Sequence, residues 1–416
     1  MRDTVSEFGP LKGMRVVELT QIVAGPVCGV MLADMGADVV KVEKTEGGDD
    51  SRRSVPPDIN GESAAFMMLN RNKRGIALNL KTQQGRDAFL QLVRQVDCLV
   101  ENFRHDTMKK LGLDYDVLKE INPGLIYCEI SGFGRSGPYA RRGGFDLIAQ
   151  GMSGLMSITG EGEGRPPVKV GAPISDITAG ILAATGCAAA YVHKLKTGEG
   201  QRIDTSLFEA AITQTYVQSA ICLMTGVSPG PMGSAHPLNA PYQAFRTEDG
   251  WLNLGAANDS NWERALKALG ADELGQDERF SSNKARMKNR LALEDVLNDH
   301  FQTKTTAEWL EALEAQGVPA GPVLSVGEMH TDPQTLAREM VTETDHLKAG
   351  RVKTIGLPIK FQGTPGGVRR PAPVLGQHTR EILSELGYDE KEADALCASG
   401  GAVAAELIDP ELDKVG

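Results

Sequence analysis

The sequence predicts an α/β fold: a doubly wound, largely parallel, Rossmann-like large domain, interrupted by a smaller helix-rich α+β domain. Three observations carry this. Short Val-rich runs alternate with helix-period segments, the strand–helix–strand pattern of a parallel sheet. That alternation stops near residue 225, where Gly, Pro and Ser crowd positions 228–241, and strand-like runs return beyond 350. The chain has 416 residues, enough for two domains and a large core.

In chain order, residues 14–19 (MRVVEL) are a β-rich run, 20–26 (TQIVAGP) a Gly-containing loop, and 27–35 a helix of small residues. Residues 39–43 (VVKVE) complete the first βαβ unit. The unit repeats as strand 75–80, amphipathic helix 83–96 and strand 98–102, then as short helix 115–121 and strand 125–130. A Gly-Ala-Pro loop runs into Ser175 and Asp176, after which 177–195 reads as one Ala-rich helix. A long helix covers 207–226. A hairpin is expected over 242–255 around Glu248-Asp249-Gly250, then helices at 261–269, 283–303 and 306–316. Strand-like pieces at 351–355 and 359–361 and a helix at 379–386 rejoin the first domain. The predicted boundaries are 1–224, 225–330 and 331–416.

A net charge of −11 argues against nucleic acid as a partner, because a phosphate backbone needs a basic face. Residues 1–4 lack the apolar core of a signal peptide. The most apolar run, 180–192, is too short for a bilayer. The six cysteines are scattered with no C-x-x-C pair, and no H-E-x-x-H or tight His/Cys cluster is present. The expectation is a cytoplasmic protein with free thiols, no metal, no membrane and no nucleic acid.

Asp176 is the residue the chemistry points to. Ser or Asp before an apolar run marks a helix start, and the dipole there favours an ionised carboxylate. Such a carboxylate can attack an activated acyl group, although a plain cap would look the same. The loop 21–26 precedes a helix whose free N–H groups can face a ligand. Basic residues cluster at 70–74 (NRNKR), at Arg52-Arg53, and at Arg104 with Lys109 and Lys110. Near strand ends these suit a phosphate-bearing ligand. Residues 132–137 (GFGRSG) spell G-x-G-x-x-G, but a loop follows where a dinucleotide site needs a helix, so NAD is not expected. Residues 226–230 (GVSPG) spell a nucleophile elbow without its strand and helix. His236 sits in a Gly/Pro loop followed by Tyr242.

Several stretches together resemble the class III CoA-transferase family, which includes formyl-CoA and carnitine CoA-transferases and the related α-methylacyl-CoA racemases. They are 10–20 (PLKGMRVVELT), 24–26 (AGP), 36–43 (GADVVKVE), 70–74, 100–103 (VENF), 132–138, Asp176, 196–201 (KTGEGQ) and 375–379 (LGQHT). The resemblance covers nearly the whole chain. It implies coenzyme A as the carried group, an acyl-CoA donor and a small carboxylic acid acceptor. It implies a nucleophile at Asp176 that passes through an aspartyl anhydride and an aspartyl-CoA thioester. Gln21, Ile22, Val23 and Ala24 would then lie along CoA, with Lys44, Arg71, Arg74, Arg104 and Lys110 as its basic ligands. It also implies an interlocked homodimer. The family's racemases carry a His where this chain has Phe145, within Gly144-Phe145-Asp146. A phenyl ring cannot exchange a proton, so transfer is favoured over racemisation, and Phe145 would pack on the acyl chain or pantetheine. The segments 233–237 (GSAHP) and 240–245 (APYQAF) look like members that use succinyl-CoA and short dicarboxylates. Arg52 or His236 would hold a distal carboxylate, and the Gly233-Ser234 loop would offer N–H groups to the oxyanions. A CoA-binding protein without catalysis is the remaining alternative.

Overall fold

The strands at the start of the chain are buried on both faces, as a parallel sheet covered by helices on each side requires. In the computed structural model, which describes residues 8–406, seven strands form that sheet. They are β1 (Arg15–Leu19), β2 (Asp38–Glu43), β3 (Arg74–Leu78), β4 (Cys98–Glu101), β5 (Ile126–Ser131), β6 (Arg202–Ser206) and β7 (Ala402–Val403). Their order is β7-β3-β2-β1-β4-β5-β6. Every neighbouring pair is parallel except β7 with β3. The order therefore reverses between β1 and β4, the place where open α/β sheets bind their ligands.

Period-two alternation sends adjacent residues to opposite faces. Val16, Val39, Cys98, Val100 and Cys128 pack beneath α1 (Ala24–Asp34) and a later long helix. Val17, Val40, Leu99 and Tyr127 pack on the other face with α2 (Gln83–Val93). Three more helices matter for the site: α3 (Asp146–Met152), α4 (Ile174–Thr197) and α5 (Leu207–Thr213). By length and composition alone, α4 is long and apolar enough to cross a membrane. Its small residues Ala179, Ala183, Cys187 and Ala190 instead join the core beneath α1. Gly180 makes that approach possible, since a Cβ there would lie 2.5 Å from the Ala24 carbonyl oxygen.

The chain falls into two compact units. Of the described residues, the first holds 8–153, Gly171–Gln214 and 333–406; the second holds Gly154–Val170 and Thr215–Asp332. Residues 154–170 and 215–224, placed in the large domain by sequence, thus belong to the second unit. The expected helix over 207–226 is two helices, α5 and Tyr216–Thr225, broken where the units divide. The second unit pairs Tyr242–Arg246, Trp251–Gly255 and Ala320–Pro322 in an antiparallel sheet. Phe245, Trp262, Phe301 and Trp309 join that sheet to its helices.

Other differences are local. Residues 359–361 form no strand, and Gly350–Ile355 pairs with Val341–His346 in a small separate sheet. The helix expected over 283–303 breaks at Asn289. Residues 1–4, read above for a leader, lie outside the described residues.

Candidate active site

The loop at the reversal point is fixed from several sides. Gln21 donates its backbone N–H to Asn102 Oδ1 at 2.9 Å, and Asn102 Nδ2 returns a bond to the Gln21 carbonyl at 2.8 Å. This double clasp ties the end of β1 to the end of β4. Ile22 has φ 70°, a left-handed conformation that costs a β-branched residue roughly 1–3 kcal/mol. Its N–H donates to Asp49 Oδ1 at 3.0 Å, which holds the strained peptide in place.

Asp49 belongs to a buried group with Glu18, Lys41 and Lys73. Lys41 Nζ lies 2.9 Å from Asp49 and 3.0 Å from Glu18, and donates to the Thr20 carbonyl at 2.9 Å. Lys73 Nζ lies 2.8 Å from Glu18 and donates to the Pro26 carbonyl at 3.0 Å. The two lysines therefore hold the carbonyls at both ends of the loop. Burial works against ionisation of Glu18 and Asp49, but the lysines outweigh it and keep both carboxyls below their usual range. Burial pulls the Lys73 ammonium down to about 8 in spite of Glu18. Sequence reasoning missed this role for Glu18, Lys41 and Asp49. The available signal, for Glu18 and Lys41 alone, was charge inside otherwise apolar strand runs, VVEL and VVKVE.

Beside the loop a cavity of about 830 Å³ opens across the carboxyl ends of β1 to β4, lined by Thr20, Gln21, Lys44, Arg53, Asn79 and Phe103 among others. That is within the range of small-molecule sites. Lys44 lines it and pairs with Asp50 at 2.7 Å. Arg104 and Lys110 are exposed next in sequence to the lining residues Phe103 and Leu111.

Three basic residues need correction, because internal carboxylates already occupy them. Arg71 pairs with Asp34 at 2.7 Å and donates to the Met68 carbonyl. Arg74 is buried and bonded to Asp38, Glu381 and Glu385. Arg52 grips Glu43 through two bonds of 2.7 Å and lies 3.6 Å above the Phe66 ring. These arginines join parts of the fold, and their guanidinium groups are not presented to a phosphate or a distal carboxylate.

Asp176 is the third residue of α4, not its cap; the cap position is Pro173, which makes no side-chain bond. The capping acceptor comes from α3: Asp146 Oδ1 accepts from the Ser175 N–H at 2.9 Å. Asp176 lies one turn before Gly180, on the same helix face, and Gly180 abuts Ala24. The second turn of α4 thereby touches Ala24, the last residue of the loop at 21–24. Among the described residues no hydrogen bond reaches the Asp176 carboxylate. Burial pushes this carboxyl up to about 7, and the negative Asp146 adds to the push. The expectation of an ordinarily acidic Asp176 is thus corrected: desolvation first, and like charge second, raise it.

Phe145 flanks α3 and is 71% exposed. Gly233, Ser234 and His236 belong to the second unit. There the Ser234 hydroxyl accepts from the Ala244 N–H, and the His236 ring meets Tyr242 edge-on. No helix opens at Gly137, and a helix rather than a strand precedes Gly226, so neither glycine motif has the setting its chemistry needs.

The comparisons agree with one another. The family described as CoA-transferase family III matches residues 11–379. A succinate–glutarate CoA-transferase of Agrobacterium fabrum is 41% identical over 399 residues, covering 94% of this chain and 100% of its own. A succinyl-CoA:mesaconate CoA-transferase of Haloarcula hispanica is 41% identical over 395 residues, covering 91% of this chain and 97% of its own. The crystal structure of a CAIB/BAIF family protein from Brucella suis superposes with a TM-score of 0.82 at 40% identity, covering 91% of this chain and 100% of that one.

Proposed function

The chain belongs to CoA-transferase family III and is an enzyme of that class; from that premise we propose that it moves CoA from succinyl-CoA to a second short dicarboxylate. Glutarate is the first acceptor to test, because a relative of 41% identity is named for succinate and glutarate. Coenzyme A passes through as part of substrate and product. The observation that carries the mechanism is Asp176, half-buried in the first turn of α4 with, among the described residues, no hydrogen bond to its carboxylate; burial and then Asp146 push that carboxyl up to about 7.

A carboxylate raised in this way is more basic and therefore a better nucleophile. Asp176 Oδ attacks the thioester carbonyl, the C–S bond breaks, and CoA leaves as the thiolate, giving a mixed anhydride. The thiolate attacks the aspartyl carbonyl and expels succinate, leaving an aspartyl-CoA thioester. The acceptor carboxylate attacks that thioester and releases the thiolate again. The thiolate then takes the acceptor's acyl group, and Asp176 returns as the carboxylate. Each step exchanges one anion for another, so no external proton is consumed. The cavity beside Lys44, with Arg104 and Lys110 nearby, supports binding of the anionic CoA end there.

Two further readings belong to this proposal. Apolar side chains exposed on α3 and α4 support a homodimer, and six free thiols support a reducing, cytoplasmic setting. A racemase would need a proton acceptor where Phe145 stands, so no deuterium should wash into the α-carbon of a 2-methylacyl-CoA at a catalytic rate.

The test is Asp176→Asn with succinyl-CoA and glutarate. A loss of order 10⁴-fold in turnover is expected for removal of a covalent nucleophile, and near-normal turnover refutes the mechanism. Hydroxylamine added during turnover should modify Asp176 in the natural enzyme, as read by peptide mass spectrometry.

A further inference from the structure

Asp146 closes the Gly144-Phe145-Asp146 segment, whose middle residue was the one weighed above, and it is tied to the nucleophile by the backbone. Its Oδ1 accepts from the N–H of Ser175, the residue before Asp176, at 2.9 Å, and its Oδ2 accepts from Gln150 Nε2 at 2.8 Å. The segment carrying it is held close to the end of β5: a Cβ on Gly132 would lie 2.7 Å from Gly144 Cα, so the two glycines let the chains touch. A negative group capping the start of α4 from another helix would be unremarkable if the helix carried no carboxylate of its own. Here it stands beside one.

We propose that Asp146 is a positioning residue that fixes the first turn of α4 and, through its charge, makes the free Asp176 carboxylate less favourable than its acylated forms. The inference rests on Asp176 being the covalent nucleophile. When Asp176 Oδ bonds to the acyl carbon, the side chain becomes uncharged and the negative charge departs with the CoA thiolate. Repulsion from Asp146 present in the free enzyme is then relieved at Asp176 in both the anhydride and the aspartyl-CoA thioester. When the carboxylate is regenerated, the repulsion returns. Asp146 therefore favours acyl-enzyme without touching the acyl group.

The surroundings single out Asp146. The elements packed against α4 are α1, α3, α5, β5 and β6. Their other charged groups have partners elsewhere: Asp34 with Arg71, Glu129 with Arg135 and Arg202, Asp204 with the Arg135 N–H, and Glu209 with Ser206. The thiols Cys28 and Cys128 act on Cys187. Asp146 is the charged group that acts on Asp176, in the direction that burial also pushes it.

The experiment follows the acyl-enzyme. Natural enzyme, Asp146→Asn and the smaller neutral Asp146→Ser are mixed with succinyl-CoA from pH 5 to 9 and quenched with hydroxylamine, and adduct at Asp176 is quantified by mass spectrometry. Asparagine keeps an oxygen to accept from Ser175 and loses only the charge. The natural enzyme should show an acidic limb near pH 7. In both variants that limb should move down by roughly one pH unit or more, while the adduct at the alkaline plateau falls. A purely structural role lowers adduct at every pH with no shift, and that result overturns the proposal, as does an unchanged profile in either folded variant. If adduct never forms at Asp176 in the natural enzyme, the covalent mechanism itself is wrong and this inference falls with it.

Discussion

Asp176 is held in a state the fold disfavours. An unfolded aspartate titrates at about 3.9, and here burial and then Asp146 raise the group to about 7. Between those values the folded chain keeps a proton that the unfolded chain has lost, so stability falls as pH rises through that window. Below it both states are protonated and nothing is lost; above it both are ionised and the loss is complete. Asp176→Asn has no proton to exchange. Thermal melts of the two proteins from pH 4 to 8 should show the variant more stable at pH 8, with the gap closing toward pH 4. A gap that does not vary with pH would mean that Asp176 titrates normally. Much of this site was not legible in the sequence. The helix start and the choice of Asp176 were, because a loop of Gly, Ala and Pro precedes an apolar run. Its acidity was not, because Asp146 lies 29 residues before Ser175 in the chain and meets it only in the fold, at the Ser175 backbone. Nor was the use of Asp49 to hold Ile22, across 27 residues. Composition cannot distinguish an arginine facing a phosphate from one gripping Glu43, so Arg52, Arg71 and Arg74 read alike until their partners are known.

Among the elements, α1 and α4 pack where Gly180 meets Ala24, the last residue of the loop at 21–24. Gly180 is a point of close approach, and an added Cβ would sit 2.5 Å from the Ala24 oxygen and 2.7 Å from Val27 Cβ. Alanine in place of glycine inside a helix normally gains up to about 1 kcal/mol. Here the methyl has to displace α1, and overpacking of this kind costs about 1–3 kcal/mol. Gly180→Ala should therefore destabilise the protein in urea and raise KM for succinyl-CoA, since Ala24 closes the 21–24 loop. A more stable variant with an unchanged KM would show that the two helices are free to separate. The elements themselves were largely legible where the pattern is local: β1 and β2 are Val-rich runs of the right length, and β4 is a short apolar one. β6, read RIDTS and mostly unburied, carries no such pattern and exists by pairing with β5. The two residues of β7 form a strand only because β3 is there to receive them. The break between α5 and Tyr216–Thr225 is hidden for the opposite reason, since helix-forming residues run straight through it.

At the scale of the molecule, each unit has a hydrophobic core of its own, yet the helices carrying the site leave apolar side chains in water. Phe145, Ile148 and Met152 on and beside α3, and Leu182, Val192 and Leu195 on α4, are all exposed. Single exposed leucines need no explanation, but several on two neighbouring helices are what an association surface presents. The side chains that point inward from α4 are small, mainly alanines, whereas these outward ones are large, the reverse of a helix facing only solvent. A second copy of the chain is the partner we propose, as the resemblance to an interlocked family implies. Light scattering at micromolar concentration should give twice the chain mass. Leu195→Glu with Ile148→Lys should shift the population toward monomer while leaving the far-ultraviolet circular dichroism intact, because neither side chain belongs to a core. A monomeric natural protein, or a double variant that stays fully dimeric, would mean that these helices do not form the association surface.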